Sequence, residues 1–232
     1  MGCLYVAGDS FASLAYNQPL GNSWTEILAK KLDLELVNAA RPAASNLSIA
    51  IQLDWITNRV TTDDFTVIFL TDNYRKTMVD LGIEEEPRGH LLEYHSLHEQ
   101  QRKSDHIDYH PTPKVITATF LNAVGEMRDF YKTWFDVDFQ SIEDSLLLTG
   151  AFTKLNNKTS RFLVCSGGID NHVYESKPRI VDHTTFCIKQ ENYFKLPSKV
   201  LLNMTEKSAY INHLDDITHS KIATILHSKV RG

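Results

Sequence analysis

The chain has 232 residues, of which 42% are hydrophobic and 10% aromatic, enough to bury a sizeable core in one domain but cramped for two. Its net charge is -5 and its 24 basic residues are scattered, with no basic stripe to neutralise phosphates, which disfavours nucleic-acid binding. Three cysteines are too few for a disulfide framework, no apolar run reaches membrane-spanning length, and no signal peptide precedes the first apolar run. A protein made and folded in a reducing cytoplasm is expected, with Cys3 and Cys165 as buried thiols. Later assembly into a larger particle remains compatible with this.

Cys3 to Ala7 is a short apolar run ending at Gly8, which predicts a buried strand. Ser23-Trp24-Thr25-Glu26 is a capping box opening a helix to about Leu32. A second strand is expected over Leu34–Val37. After a Pro-containing loop, 39–45, a helix runs from Asn46 towards Arg59, with Leu47, Ile51 and Leu53-Asp54-Trp55 giving its apolar face. Thr66–Leu70, rich in β-branched and apolar residues, is the third strand.

The rhythm then breaks. Residues 75–113 carry many charges, five histidines and three prolines, and are expected to form a polar insertion. Helices are predicted over Lys114–Trp134 and Ser141–Leu155, with Phe130, Tyr131, Trp134 and Phe135 as helix core. Arg161–Cys165 is a fourth strand. Residues 169–197 are irregular apart from a strand near Thr184–Ile188. A last helix, Asp215–Val230, is capped by Asp215 or Asp216 and turns Ile217, Ile222, Ile225 and Leu226 inward. Alternating strands and helices predict βαβ units and a parallel sheet covered on both faces. The fold class is therefore α/β, a three-layer α/β/α sandwich with a central, mostly parallel sheet, in a single domain spanning 1–232.

Gly8-Asp9-Ser10-Phe11 follows the first strand. A serine just past the carboxyl end of a central parallel strand stands where such folds place ligands. Its hydroxyl needs a neighbouring base to become a nucleophile. The tripeptide at this position resembles the first signature block of the SGNH (GDSL-type) ester hydrolases. Asn38-Ala39-Ala40-Arg41-Pro42-Ala43 is similar to their second block, with Ala43 where the family has the glycine whose N–H holds the oxyanion. Thr71-Asp72-Asn73-Tyr74 resembles the third, G-x-N-D, and places Asn73 on the amide oxyanion donor.

The last block, D-x-x-H, has two registers. His213 reproduces the family's spacing to a second His and to Ile-Ala (His219, Ile222-Ala223), but Tyr210 then occupies the acid's place. Asp216-Ile217-Thr218-His219 satisfies D-x-x-H literally, yet sets the base inside a helix. The first register is favoured. With no acid at 210, a backbone carbonyl, Asp215 or Asp216 is left to orient the ring.

The resemblance implies a flavodoxin-like fold and a serine ester hydrolase working through an acyl-enzyme on Ser10. His213 is the base, and Ser10 N–H, Ala43 N–H and the Asn73 amide are the oxyanion donors. No cofactor or metal is implied, and the substrate is a small-molecule or carbohydrate ester of esterase, lipase or O-deacetylase type. The altered blocks leave a second class open: a catalytically lapsed SGNH-like domain used for binding or structure, as in a phage particle. A metal protein is a third class. It rests on His90, His95, His98, His106 and His110, a segment better explained as a polar surface excursion because no H-E-x-x-H motif or nearby Cys accompanies it.

Overall fold

The structure is a computed structural model that describes residues 2–14, 22–41, 44–71, 75–79, 115–119, 129, 133–134, 136–166, 192–195 and 214–231. Its strands are β1 (Cys3–Ala7), β2 (Glu35–Asn38), β3 (Phe65–Leu70), β4 (Arg75–Val79), β5 (Val115–Thr119), β6 (Phe162–Ser166) and β7 (Tyr193–Lys195). Its helices are α1 (Trp24–Leu32), α2 (Asn46–Thr57), α3 (Val137–Asn156) and α4 (Asp216–Arg231). Five strands form one all-parallel sheet in the order β2-β1-β3-β6-β7, and β4 pairs with β5 as a separate antiparallel ribbon.

The period-2 alternation of each strand builds two cores. Leu4, Val6, Phe65, Val67 and Phe69 face α1 and α4, where Trp24, Leu28, Ile222 and Leu226 meet them. Tyr5, Ala7, Ile68 and Leu70 face α2 and α3, against Ile49, Leu53, Ile56, Leu148 and Phe152. Because both faces are covered, the central strands β1 and β3 are largely apolar, and every residue of β3 is buried. No helix among the described residues is long and apolar enough to cross a membrane.

The chain's local signals act as expected at α1. The Ser23 side chain accepts from Glu26 N–H, and the Glu26 carboxylate accepts from Ser23 N–H, closing the capping box. Asp215 caps α4, its Oδ1 accepting from Thr218 N–H at 2.7 Å.

Several expectations are corrected. The helix expected from Lys114 is, over Val115–Thr119, the strand β5. Val115-Ile116-Thr117 is a β-branched run, and pairing with β4 outweighs helical periodicity. Strand β4 lies inside the expected polar insertion, and β7 lies in a stretch expected to be irregular. At three residues, β7 is too short to show a pattern. Helix α3 starts at Val137 rather than Ser141 because Asp136 caps it, accepting from Phe139 N–H at 2.9 Å. The buried face of α2 is Ile49, Gln52, Leu53 and Ile56, with Leu47 and Ile51 only half-buried. Ile217 is 65% exposed and Trp134 78% exposed, so neither joins the core. Cys165 is buried and Cys3 partly exposed, both as free thiols. The expected strand at 184–188, Cys187, and Phe130, Tyr131 and Phe135 lie outside the described residues.

Asp64 ties the start of β1 to the turn before β3. Its carboxylate accepts from Cys3 N–H at 2.6 Å, Thr61 N–H at 2.7 Å and the Thr61 hydroxyl at 2.8 Å. Burial pushes its pKa up, but these hydrogen bonds outweigh burial and hold it below the ordinary 3.8. A depressed carboxylate pKa stabilises the fold fully above the unfolded value and is lost as pH falls through the folded one. Urea unfolding of the wild type is therefore expected to weaken below about pH 4, while Asp64→Asn is weaker at neutral pH and shows a flatter acid limb. The Ile217 correction is tested in the same assay. Ile222→Ala is expected to lose about 2–5 kcal/mol, whereas Ile217→Ser changes stability by less than about 0.5 kcal/mol.

Candidate active site

The sheet order sets the site. Helix α1 follows β1 onto one face, and α2 follows β2 onto the other. β1 is therefore flanked by β2 on one side and β3 on the other, and the strand order reverses beside it. In open α/β sheets the crevice at such a reversal, beyond the strands' carboxyl ends, is where ligands bind. Gly8-Asp9-Ser10 leaves β1 at that point.

The turn is fixed on every side. Asp9 C=O accepts from Ala12 N–H at 3.1 Å and Ser13 N–H at 2.9 Å. The Asp9 carboxylate is fully buried; one oxygen accepts from Phe11 N–H at 3.0 Å and the other from the Thr71 hydroxyl at 2.8 Å. Thus the end of β1 is bolted to the end of β3. Gly8 must be glycine: a Cβ there would stand 2.9 Å from the Cβ atoms of both Ala12 and Phe69. Ser10 is 7% exposed at the top of this turn.

Four side chains from other elements hold the frame. Gln52, on α2, accepts from Gly8 N–H at 2.7 Å and donates to Gly8 C=O at 3.1 Å. Asn38, the last residue of β2, donates to Ala12 C=O at 2.8 Å and accepts from Ala40 N–H at 2.9 Å. Trp24, the first residue of α1, donates its indole N–H to Phe11 C=O at 2.7 Å, and its ring lies 5.9 Å from that of Phe69. Asn46, the first residue of α2, accepts from Thr71 N–H at 3.3 Å and donates to Thr71 C=O at 3.2 Å.

The sequence-predicted residues fall unevenly on this frame. Ser10 stands at the strand end. Asp216 is exposed on the first turn of α4. His219 is 2% exposed, and its Nδ1 accepts from Trp24 N–H at 3.1 Å, so from α4 it caps the start of α1. With Nδ1 as acceptor, the neutral ring carries its proton on Nε2. Trp24 stands between His219 and the Ser10 turn. Ala43, Asn73 and His213 lie outside the described residues, as do the five histidines of 90–110. Among the described residues no three His, Cys, Asp or Glu side chains come together as metal ligands.

Sequence reasoning missed Gln52, Asn46, Thr71 and the structural role of Asp9. A single amide inside an otherwise apolar stretch of helix, as at Gln52, is the sequence signal that could have found it.

No protein-family profile matches the chain, and no curated protein matches it in sequence. Solved structures do. The psychrotrophic esterase EstA from Pseudoalteromonas sp., in a structure inhibited by monoethylphosphonate, is 12% identical over 100% of this chain and 97% of its own, with TM-score 0.50. The Bacillus subtilis protein YxiM is 13% identical over 99% of this chain but 56% of its own length, also at 0.50, so the chain spans about half of that protein. A lipolytic protein of the G-D-S-L family from Veillonella parvula is 13% identical over 97% and 95%, at 0.48. The likeness to EstA is one of fold, a parallel sheet between layers of helices.

The two-ended bond between Gln52 and Gly8 is open to test. Gln52→Met keeps the side chain's length and removes both partners, leaving buried Gly8 N–H unpaired. A loss of about 1–3 kcal/mol in urea unfolding is expected.

Proposed function

We propose that this chain is a serine ester hydrolase that acts through an acyl-enzyme on Ser10. The observation that carries the reading is the place of Ser10: the carboxyl end of β1, at the reversal of strand order, on a turn held by Asp9, Gln52, Asn38 and Trp24. A nucleophile presented by so fixed a turn loses little freedom on reaching the reacting carbonyl.

His213 takes the Ser10 proton, Ser10 attacks the ester carbonyl, and the alkoxide of the tetrahedral intermediate is met by Ser10 N–H, Ala43 N–H and the Asn73 amide. The alcohol leaves with that proton. Water, activated by His213, then releases the acid and restores Ser10. The tautomer of His219 supports this register. A triad base accepts the serine proton on Nε2 and donates from Nδ1, whereas His219 accepts on Nδ1 from a backbone amide. Asp215 Oδ1 is engaged in capping Thr218, and Asp216 is exposed. Both facts count against these two acids as the group that orients the His213 ring and leave a backbone carbonyl as the third candidate. The substrate is a small-molecule or carbohydrate ester. EstA's inhibition by a monoethylphosphonate makes phosphonates a natural probe.

Hydrolysis of p-nitrophenyl acetate and of a longer-chain ester decides the matter. Ser10→Ala and His213→Ala are each expected to lower kcat by about 10⁴-fold or more. His219→Ala lowers stability and leaves the kcat of the folded fraction largely intact. A wild type that neither turns over ester nor takes a fluorophosphonate on Ser10 would instead mark a lapsed domain kept for binding or assembly.

A further inference from the structure

Helix α3 changes character along its inward face. Leu148, Phe152 and Leu155 are apolar and fully buried, as a core helix requires, but the preceding turns bury Gln140, Ser141, Asp144 and Ser145. Asp144 is 1% exposed. One of its carboxylate oxygens accepts from Gln140 Nε2 at 2.7 Å and the other from Asn46 Nδ2 at 3.0 Å. A buried carboxylate is costly to retain unless its partners are well placed, and these two amides both donate to it.

What Asp144 does for Asn46 follows from hydrogen-bonding capacity. The two ends of an asparagine amide are nearly the same size, so shape alone does not choose between its two orientations. A carboxylate accepts and does not donate, so it selects the orientation with Nδ2 towards it. That orientation leaves the second Nδ2 hydrogen for Thr71 C=O and Oδ1 for Thr71 N–H, the pairing seen. The opposite orientation would set oxygen against oxygen at Asp144 and lose both bonds to Thr71. Thr71 also donates its hydroxyl to Asp9, so its backbone and side chain are fixed together.

We propose that Asp144 is a positioning residue for the site, acting through Asn46 to fix Thr71, whose hydroxyl holds the Asp9 carboxylate beside Ser10. The proposal rests on the ester-hydrolase reading, in which Ser10 is the nucleophile. Asp144 touches no reacting atom. Its effect is on the Thr71–Asp9 bond that holds the Ser10 turn. A catalytic group displaced by about 1 Å can cost on the order of 10²-fold in rate.

Asp144→Ala, Asp144→Asn and Asn46→Asp test it. Alanine removes the anchor on Asn46 Nδ2 and leaves Thr71 alone to hold the amide in place. Asparagine at 144 keeps an acceptor for Asn46 and can donate to Gln140 Oε1 once that amide turns over. Aspartate at 46 faces a second carboxylate and has no N–H for Thr71 C=O. Asp144→Ala and Asn46→Asp are expected to lower kcat on p-nitrophenyl acetate about 10- to 100-fold with KM changed less than about twofold. Asp144→Asn is expected to recover all but about threefold of that loss, since it restores the bond pattern.

Hydrogen exchange supplies a readout apart from turnover. The Thr71 amide exchanges faster in Asp144→Ala, while the Gly8 amide, held by Gln52, does not. A folded Asp144→Ala with wild-type kcat, or with unchanged exchange at Thr71, overturns the proposal. If Asp144→Ala does not fold, the other pair decides: Asn46→Asp with the kcat of Asp144→Asn overturns it. A wild type that hydrolyses no ester removes the underlying reading and this proposal with it, a result distinct from an active wild type indifferent to position 144.

Discussion

Where parallel strands part at the top of a sheet, each leaves an N–H and a C=O that its neighbour no longer pairs. Buried and unpaired, such groups cost about as much as a lost hydrogen bond each. β1 and β3 stop pairing with one another after Ala7 and Ile68. Beyond that point two side-chain amides of α2 take over. Gln52 bonds both the N–H and the C=O of Gly8, sharing the C=O with Arg41 N–H at 3.1 Å, and Asn46 bonds both groups of Thr71. Each amide stands in for the peptide group of a missing strand. The crevice can therefore open without stranding the backbone that lines it, and the Ser10 turn inherits its fixed position from that substitution.

The opposite layer contributes through Trp24. Its backbone N–H reaches His219 on α4, its indole N–H reaches the Ser10 turn, and its ring packs on Phe69. One side chain thus joins the α1–α4 layer to the strand end. His219 makes a helix-to-helix link there, which gives a buried imidazole a structural reason to be present. Residue type alone would not separate that role from a catalytic one.

The layer architecture was legible because its signals are local: the apolar runs of β1, β3 and β6, the capping box at Ser23, and strand–helix alternation. Elements that depend on distant partners were not. Val115–Thr119 carries no sign that Arg75–Val79 will pair with it, and β7 is too short to speak for itself. The face of α2 was misjudged where a polar residue, Gln52, is buried. For the site, the Gly-Asp-Ser turn was visible as a motif. Its supports were not, because Asn46, Gln52, Thr71 and Asp144 meet only after folding, up to 98 residues apart. A shared fold narrows the chemistry without fixing it. The weight therefore falls on this particular arrangement of strand end, amides and serine.

The pair of amides on α2 also bears on how this chain can change in length. Asn46 and Gln52 are six residues apart on one continuous helix, and each must meet its own strand end. Each helical residue turns the axis by about 100° and advances it by about 1.5 Å. A residue gained or lost before Ser45 moves α2 as a whole and can be absorbed by the loop. One gained or lost between the two amides swings one of them away from its strand whatever the loop does. The segment from 46 to 52 therefore behaves as a ruler laid across the two strands, and drift in chain length should collect on either side of it.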